Sequence, residues 1–197
     1  MSASHEKNFL GLVIDTSTEC ALICITSNHQ VLRSITIQPA RNLSKELLPA
    51  LQNLFLKNNL HFRELDYISI GVGPGSYTGT RVGAIIGKSL AFGLNLPLVG
   101  FESPLAFLPD CSGTFIFQAD AKMDHYYLLK GTKNGNLVIL EPSSKLIQKS
   151  LFKQEDFAVD FFVTPSDFRP NPGLISHLVF EKFSRHTGQI PELVYYR

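Results

Sequence analysis

Largely apolar segments separated by short polar turns fill the opening of the chain, and the first of them is continuously apolar, the pattern of a strand covered on both faces. Residues 9–14 form the first run, and Asp15-Thr16-Ser17-Thr18 turns the chain into a second over residues 20–26. Asn28-His29 turns it again into a third run over 31–37, and Pro39, which cannot donate to a ladder, ends the meander. The period then changes. Leu43, Leu47, Leu48, Leu51, Leu54 and Phe55 recur at helical spacing, which predicts an amphipathic helix over 42–58 with Asn42 as its N-cap. Pro49 lies inside that pattern and predicts a kink or a loosened first turn. A buried strand at 67–72, a second helix at 76–94 and a short strand at 97–100 follow. Ser103-Pro104 has the form of a cap with proline in the first helical position.

The second half starts as the first does. A strand at 115–119 runs to Asp120, a turn through residue 124 leads into a strand at 126–130, and Asn134-Gly135 signals a hairpin into 137–140. Strand, aspartate, polar turn, strand, turn, strand thus occurs twice, with Asp15 and Asp120 in matching places. We read this as an internal duplication. A strand at 159–164, a helix from Asn171-Pro172 to about residue 185, and a last strand at 193–196 complete the chain. No linker separates the halves, so the expected shape is two lobes with one cleft.

Composition narrows the function. The 197 residues are 44% hydrophobic and carry a net charge of +1, so no basic face for holding nucleic acid alone is expected. Three cysteines without a CxxC pair (Cys20, Cys24, Cys111) exclude a disulfide framework and read as small buried hydrophobes of a reducing cytosol. The polar start of the chain lacks a signal-peptide core, and no apolar run is long enough to span a membrane. None of the six histidines lies four residues from another, so no metal site is expected. No serine occupies a nucleophile elbow, and Lys145, Lys149 and Lys153 read as a solvated face.

Three features carry candidate chemistry. Gly71-Val72-Gly73-Pro74-Gly75-Ser76 joins a strand to a helix, either as an anion-binding loop or as a tight turn; it is neither a Walker A nor a dinucleotide fingerprint. Asp15, Thr16 and Ser17 stand at a strand end, where with Asp120 they suit a metal-nucleotide site or simple turn chemistry. Finally, Gly79, Gly83, Gly87 and Ala91 repeat every four residues along the second helix. Interior glycines cost about 1 kcal/mol each against alanine. Such a ladder predicts a backbone packed very close, from the helix at 42–58 or from another protein.

The strings Leu12-Val13-Ile14-Asp15-Thr16-Ser17-Thr18 and Gly73-Pro74-Gly75-Ser76-Tyr77-Thr78-Gly79-Thr80-Arg81-Val82-Gly83 resemble the bacterial TsaB (YeaZ) family. The resemblance continues through Lys88-Ser89-Leu90-Ala91, Pro97-Leu98-Val99-Gly100, Asp120-Ala121-Lys122-Met123 and Val194-Tyr195-Tyr196-Arg197, strong over 9–105 and patchy beyond. Leu43 replaces a frequent histidine, Tyr77 a phenylalanine and Thr80 a leucine. The resemblance implies the α/β actin-like fold (ASKHA, ribonuclease H-like), two lobes of mixed sheets flanked by helices. The N-terminal lobe would span 1–110 and a shortened C-terminal lobe 111–197.

It also implies a noncatalytic, cytoplasmic subunit of the machinery that makes threonylcarbamoyladenosine next to the anticodon of ANN-decoding tRNAs. Such a subunit binds and activates the TsaD transferase, with the ATPase TsaE completing the assembly. A homodimer forms in isolation, and tRNA binds only to the complex. ATP and metal belong to TsaD and TsaE, and no cofactor of its own is implied. The partner interface would use both helices, through Leu47, Leu51, Leu54, Gly79, Arg81, Gly83, Gly87 and Ala91. The rival reading is a small ASKHA-type ATP-dependent phosphotransferase using Asp15 and Asp120.

Overall fold

Strand β1 (Leu10–Asp15) lies at the centre of a five-stranded sheet, and its side chains divide between two cores. The computed structural model describes residues 7–38, 42–141, 144–167, 169–185 and 188. β2 (Ala21–Ser27) pairs antiparallel to β1, and β3 (Gln30–Ile37) antiparallel to β2, which closes the expected meander. β4 (Tyr67–Gly71) and β5 (Leu98–Phe101) add in parallel on the other side, for the order β3-β2-β1-β4-β5. Alternation then sorts the residues. Leu12, Ile14, Ile23, Ile25, Ile68 and Ile70 face helices α1 (Leu43–Lys57) and α2 (Tyr77–Leu94), while Val13, Leu22, Cys24 and Tyr67 face the opposite core. Each such side chain contributes roughly 1.5–3 kcal/mol by leaving water.

The second sheet repeats the plan. β6 (Gly113–Lys122) and β7 (His125–Asn134) form a long antiparallel pair, β8 (Leu137–Leu140) follows β7, and β10 (Phe161–Val163) pairs parallel to β6. The order β8-β7-β6-β10 is that of β3-β2-β1-β4, with no counterpart of β5 among the described residues. The duplication is therefore visible in topology as well as in sequence. β9 (Lys145–Gln148) pairs with the first half of β7 and was not expected: its lysines suggested only a solvated face.

Helix α3 (Pro172–Ser184) follows β10, with the Asn171 side chain accepting from the Leu174 amide 3.1 Å away as its cap. It belongs by sequence to the second half, yet it packs on the first sheet. Leu174, Ile175 and Val179 share one core with Val13 and Leu22 of the first sheet and with Phe115 and Phe117 of the second.

Several local expectations change. Asn42 begins α1 by position, but only its backbone carbonyl receives bonds and its side chain makes no cap. α1 runs on through Pro49; Lys45 and Pro49 are both exposed, so the carbonyl deprived of its donor faces water. Residues Ser103–Phe107 form a 3-10 turn with Glu102 in the cap position. Cys20 and Cys24 are buried as expected, and burial pushes the Cys24 thiol up to about 12, but Cys111 is exposed. The strand expected at 193–196 lies outside the described residues, as do Pro39, His5 and His186. No helix among the described residues is long and apolar enough to cross a membrane.

Candidate functional site

The end of β1 and the start of α2 are joined through one hydroxyl. Thr16 Oγ1 donates to the Gly79 carbonyl at 2.6 Å and accepts from the Gly83 amide at 3.0 Å, so it sits on a helical donor–acceptor pair four residues apart. This approach is possible only because α2 has no side chain there. A Cβ on Gly79 would lie 2.2 Å from the Thr16 carbonyl oxygen, and one on Gly83 would lie 2.3 Å from Thr16 Oγ1. On Gly87 it would meet Ile70 Cγ2 at 2.3 Å. The close neighbour that the ladder demanded is thus the chain's own Thr16, just past β1, with Ile70 of β4 beyond it. Gly79, Gly83, Gly87 and Ala91 are all buried inside the lobe, which corrects the expectation that the helix at 42–58 or another protein packs along these positions.

Asp15 is sealed in the same region. It is 4% exposed, and its Oδ1 accepts from the Ser17 amide (2.9 Å) and the Ser103 hydroxyl (3.2 Å). Oδ2 has no hydrogen-bond partner among the described residues. Burial pushes the Asp15 carboxyl above the ordinary carboxylate range, against the pull of the Ser17 amide and the Ser103 hydroxyl. Gly71 makes room for it, since a Cβ there would lie 2.4 Å from Asp15 Cγ. Asp120 has a different setting: it lies in β6 with Lys149 Nζ 3.1 Å from Oδ1, and its side chain is half exposed. A depression of about 240 Å³ beside the β1–β2 turn is lined by Cys20, Gln38, Asp167 and Arg169 among others, and neither aspartate lines it.

Three amides at the start of α2 have partners within the chain. The Gly73 amide donates to Ser103 Oγ (3.0 Å), the Ser76 amide to the Ser17 carbonyl (2.7 Å) and the Gly79 amide to Ser76 Oγ (3.3 Å). These bonds build the tight strand-to-helix turn, one of the two readings of this loop.

What α1 and α2 turn outward is a different set of residues. Leu47 and Leu51 are fully buried, and Leu54 nearly so, in the core beneath the helices; they are not surface contacts of the monomer. The outer ridge of α2 instead presents Tyr77, Arg81, Ile85 and Phe92, with Ile85 64% and Phe92 91% exposed. The Arg81 guanidinium stacks 3.6 Å over the Tyr77 ring. On α1, Leu48 and Leu56 are exposed as well. Of the interface residues expected from sequence, Arg81 alone lies on this outer face. The spacing of Tyr77, Arg81, Ile85 and Phe92 was legible, but the glycine ladder drew the inference to the opposite face.

The fold also gathers three possible ligands that spacing between histidines does not reveal. His29, from the β2–β3 turn, meets His177 and Glu181 of α3. The signal for it was a histidine and a glutamate four apart on one helix face.

A family model described as TsaD, tRNA N6-adenosine threonylcarbamoyltransferase, matches residues 30–158. A Buchnera aphidicola protein named tRNA threonylcarbamoyladenosine biosynthesis protein TsaB is 27% identical over 151 residues, 73% of this chain and 67% of the relative. The Haemophilus influenzae protein of the same name is 30% identical over 126 residues, 61% of this chain, and the match spans only 53% of that relative's length. Among solved structures, YeaZ from Pseudomonas aeruginosa superposes with a TM-score of 0.76 at 22% identity, covering 92% of this chain and 95% of the other.

Proposed function

Because the chain belongs to the TsaD family of tRNA N6-adenosine threonylcarbamoyltransferases, with the TsaB proteins as its relatives and an actin-like two-lobed fold, we propose that it is a noncatalytic subunit in tRNA threonylcarbamoyladenosine biosynthesis. Its task is to bind and activate a TsaD-type transferase in the cytoplasm, with a TsaE-type ATPase joining the assembly and tRNA engaged only by the whole. ATP and metal chemistry belong to those partners. A homodimer through the same face is the form taken without them.

The observation that carries this reading is the outer ridge of α2. Phe92 at 91% exposure and Ile85 at 64% put apolar side chains on the outer face of α2, and α1 exposes Leu48 and Leu56, on a chain whose sealed Asp15 supplies no accessible acid or base. Exposed apolar helix faces of this kind mark sites of protein association. The stacked Arg81–Tyr77 pair adds the residue types that dominate interface energetics.

The test is size-exclusion chromatography of this chain mixed with the TsaD homologue of the same organism. A heteromeric peak is expected from the wild type. Ile85→Glu and Phe92→Ser should abolish it while leaving the circular dichroism spectrum unchanged. A wild-type chain that elutes alone, or variants that pair normally, would refute the assignment. ATP turnover by the purified chain that disappears in Asp15→Ala would favour the phosphotransferase instead.

A further inference from the structure

We propose that His29, His177 and Glu181 form a binding site for a borderline divalent cation of the zinc class, which ties α3 to the turn between β2 and β3. One ligand atom from each residue lies within 4.8 Å of the other two. A tetrahedral ion with ligand bonds of about 2.0–2.1 Å holds its ligands roughly 3.4 Å apart. The three side chains therefore need to close by only an ångström or so, and their exposure leaves room to do it: His29 is 42% and Glu181 40% exposed at the side chain.

The donor set is right for such an ion. Two imidazoles and one carboxylate suit zinc, with the fourth position left to water. His177 and Glu181 are one turn apart on α3, so both project from one face. His29 comes from a turn that the Asn28 side chain fastens, by accepting from the Phe9 amide at 2.9 Å. Its ring is placed by packing, edge-on to Phe180 at 4.6 Å between centroids and 4.5 Å from the His177 ring. Glu181 divides its two oxygens: Oε2 takes Arg185 Nη2 at 3.0 Å, while Oε1 points to His29 Nε2 at 3.7 Å. That 3.7 Å separation is longer than a hydrogen bond, which leaves Oε1 available for a metal. A ligand carboxylate whose second oxygen is held by an arginine is oriented by it, as outer-shell partners of metal sites do.

The ligands come from both halves of the sequence, so the ion would act as a clasp holding α3 on the first sheet. Its binding energy would add to folding.

The experiment titrates Zn²⁺ into the full chain, stripped with EDTA and dialysed, by isothermal calorimetry in a non-coordinating buffer. One Zn²⁺ per chain is expected, together with a rise in thermal midpoint. His177→Ala and His29→Gln should each weaken binding at least tenfold and remove the midpoint rise. His125→Ala, at the start of β7 in the second sheet, should do neither. Co²⁺ should give the intense visible bands of a tetrahedral site in the wild type alone. Because His29 and His177 lie outside the cores, the variants should keep the wild-type circular dichroism spectrum. Absence of Zn²⁺ uptake by the wild type would overturn the proposal. So would uptake that survives both ligand substitutions, or that His125→Ala lowers equally.

Discussion

The contact between Thr16 and Gly83 invites a double-mutant cycle. Gly83→Ala places a methyl 2.3 Å from Thr16 Oγ1 and 3.4 Å from Thr16 Cβ and Cγ2. Alanine gains about 1 kcal/mol over glycine in a helix interior. Overpacking against a fixed strand costs roughly 1–3 kcal/mol. Displacing α2 also weakens the two bonds through Oγ1, each worth about 0.5–1.5 kcal/mol net. The clash wins, and Gly83→Ala should destabilise the chain by about 1–3 kcal/mol. Thr16→Ala removes the same two bonds but leaves the Gly83 amide and Gly79 carbonyl free to pair within the helix, so its cost is about 1–2 kcal/mol. In the double variant the methyl fills the space the hydroxyl left, and the helix gains its alanine. The double variant should thus be no less stable than Thr16→Ala, with a favourable coupling of roughly 1–3 kcal/mol. Urea unfolding followed by far-ultraviolet circular dichroism measures all four corners of the cycle. Additivity within about 0.5 kcal/mol, or a Gly83→Ala variant more stable than wild type, would refute the packing argument.

Asp15→Asn keeps an acceptor for the Ser17 amide and the Ser103 hydroxyl but removes a buried charge. Because the folded carboxyl titrates above its ordinary 3.8, the wild type is undisturbed below that value and loses stability as pH rises through the folded one. The variant should therefore match the wild type in acid and exceed it at pH 7 in thermal midpoint; a difference that grows toward acid would contradict this. Leu51→Ala, in the fully buried centre of α1, should lose about 2–5 kcal/mol of unfolding free energy. Leu48→Ala on the exposed side of the same helix should stay within about 0.5 kcal/mol.

The first two strands were legible because they are covered on both faces, and the third, an edge strand with no fully buried residue, from the polar turn and the proline that bound it: residues 9–14, 20–26 and 31–37 correspond to Leu10–Asp15, Ala21–Ser27 and Gln30–Ile37 within a residue or two. Both long helices were legible from their period. β9 was not, because its four residues bury only Ile147 in part and its register is imposed by β7. At the candidate site, the residues that sequence reasoning named on the two helices are, Arg81 apart, buried inside the lobe. Leucines at helical spacing say that a face is buried, and small residues say that a backbone approaches closely; neither says whether the neighbour belongs to the same chain. That is settled by Thr16, a residue distant in sequence whose single hydroxyl reaches two glycines. The cluster of His29 with His177 and Glu181 was hidden for the same reason, since its members meet only when α3 returns to the first sheet.

A hinge needs a plane that few side chains cross, and in this molecule that plane is filled. Val13 and Leu22 on one side and Phe115 and Phe117 on the other share a continuous core with α3 wedged between. Closing and opening the lobes, the stroke by which a two-lobed fold drives work from a bound nucleotide, would tear that core. The two halves should therefore exchange their amide hydrogens as a single cooperative block. The fold keeps the outline of a clamp, but its jaws are welded, and its outer helices form a stiff surface of fixed shape.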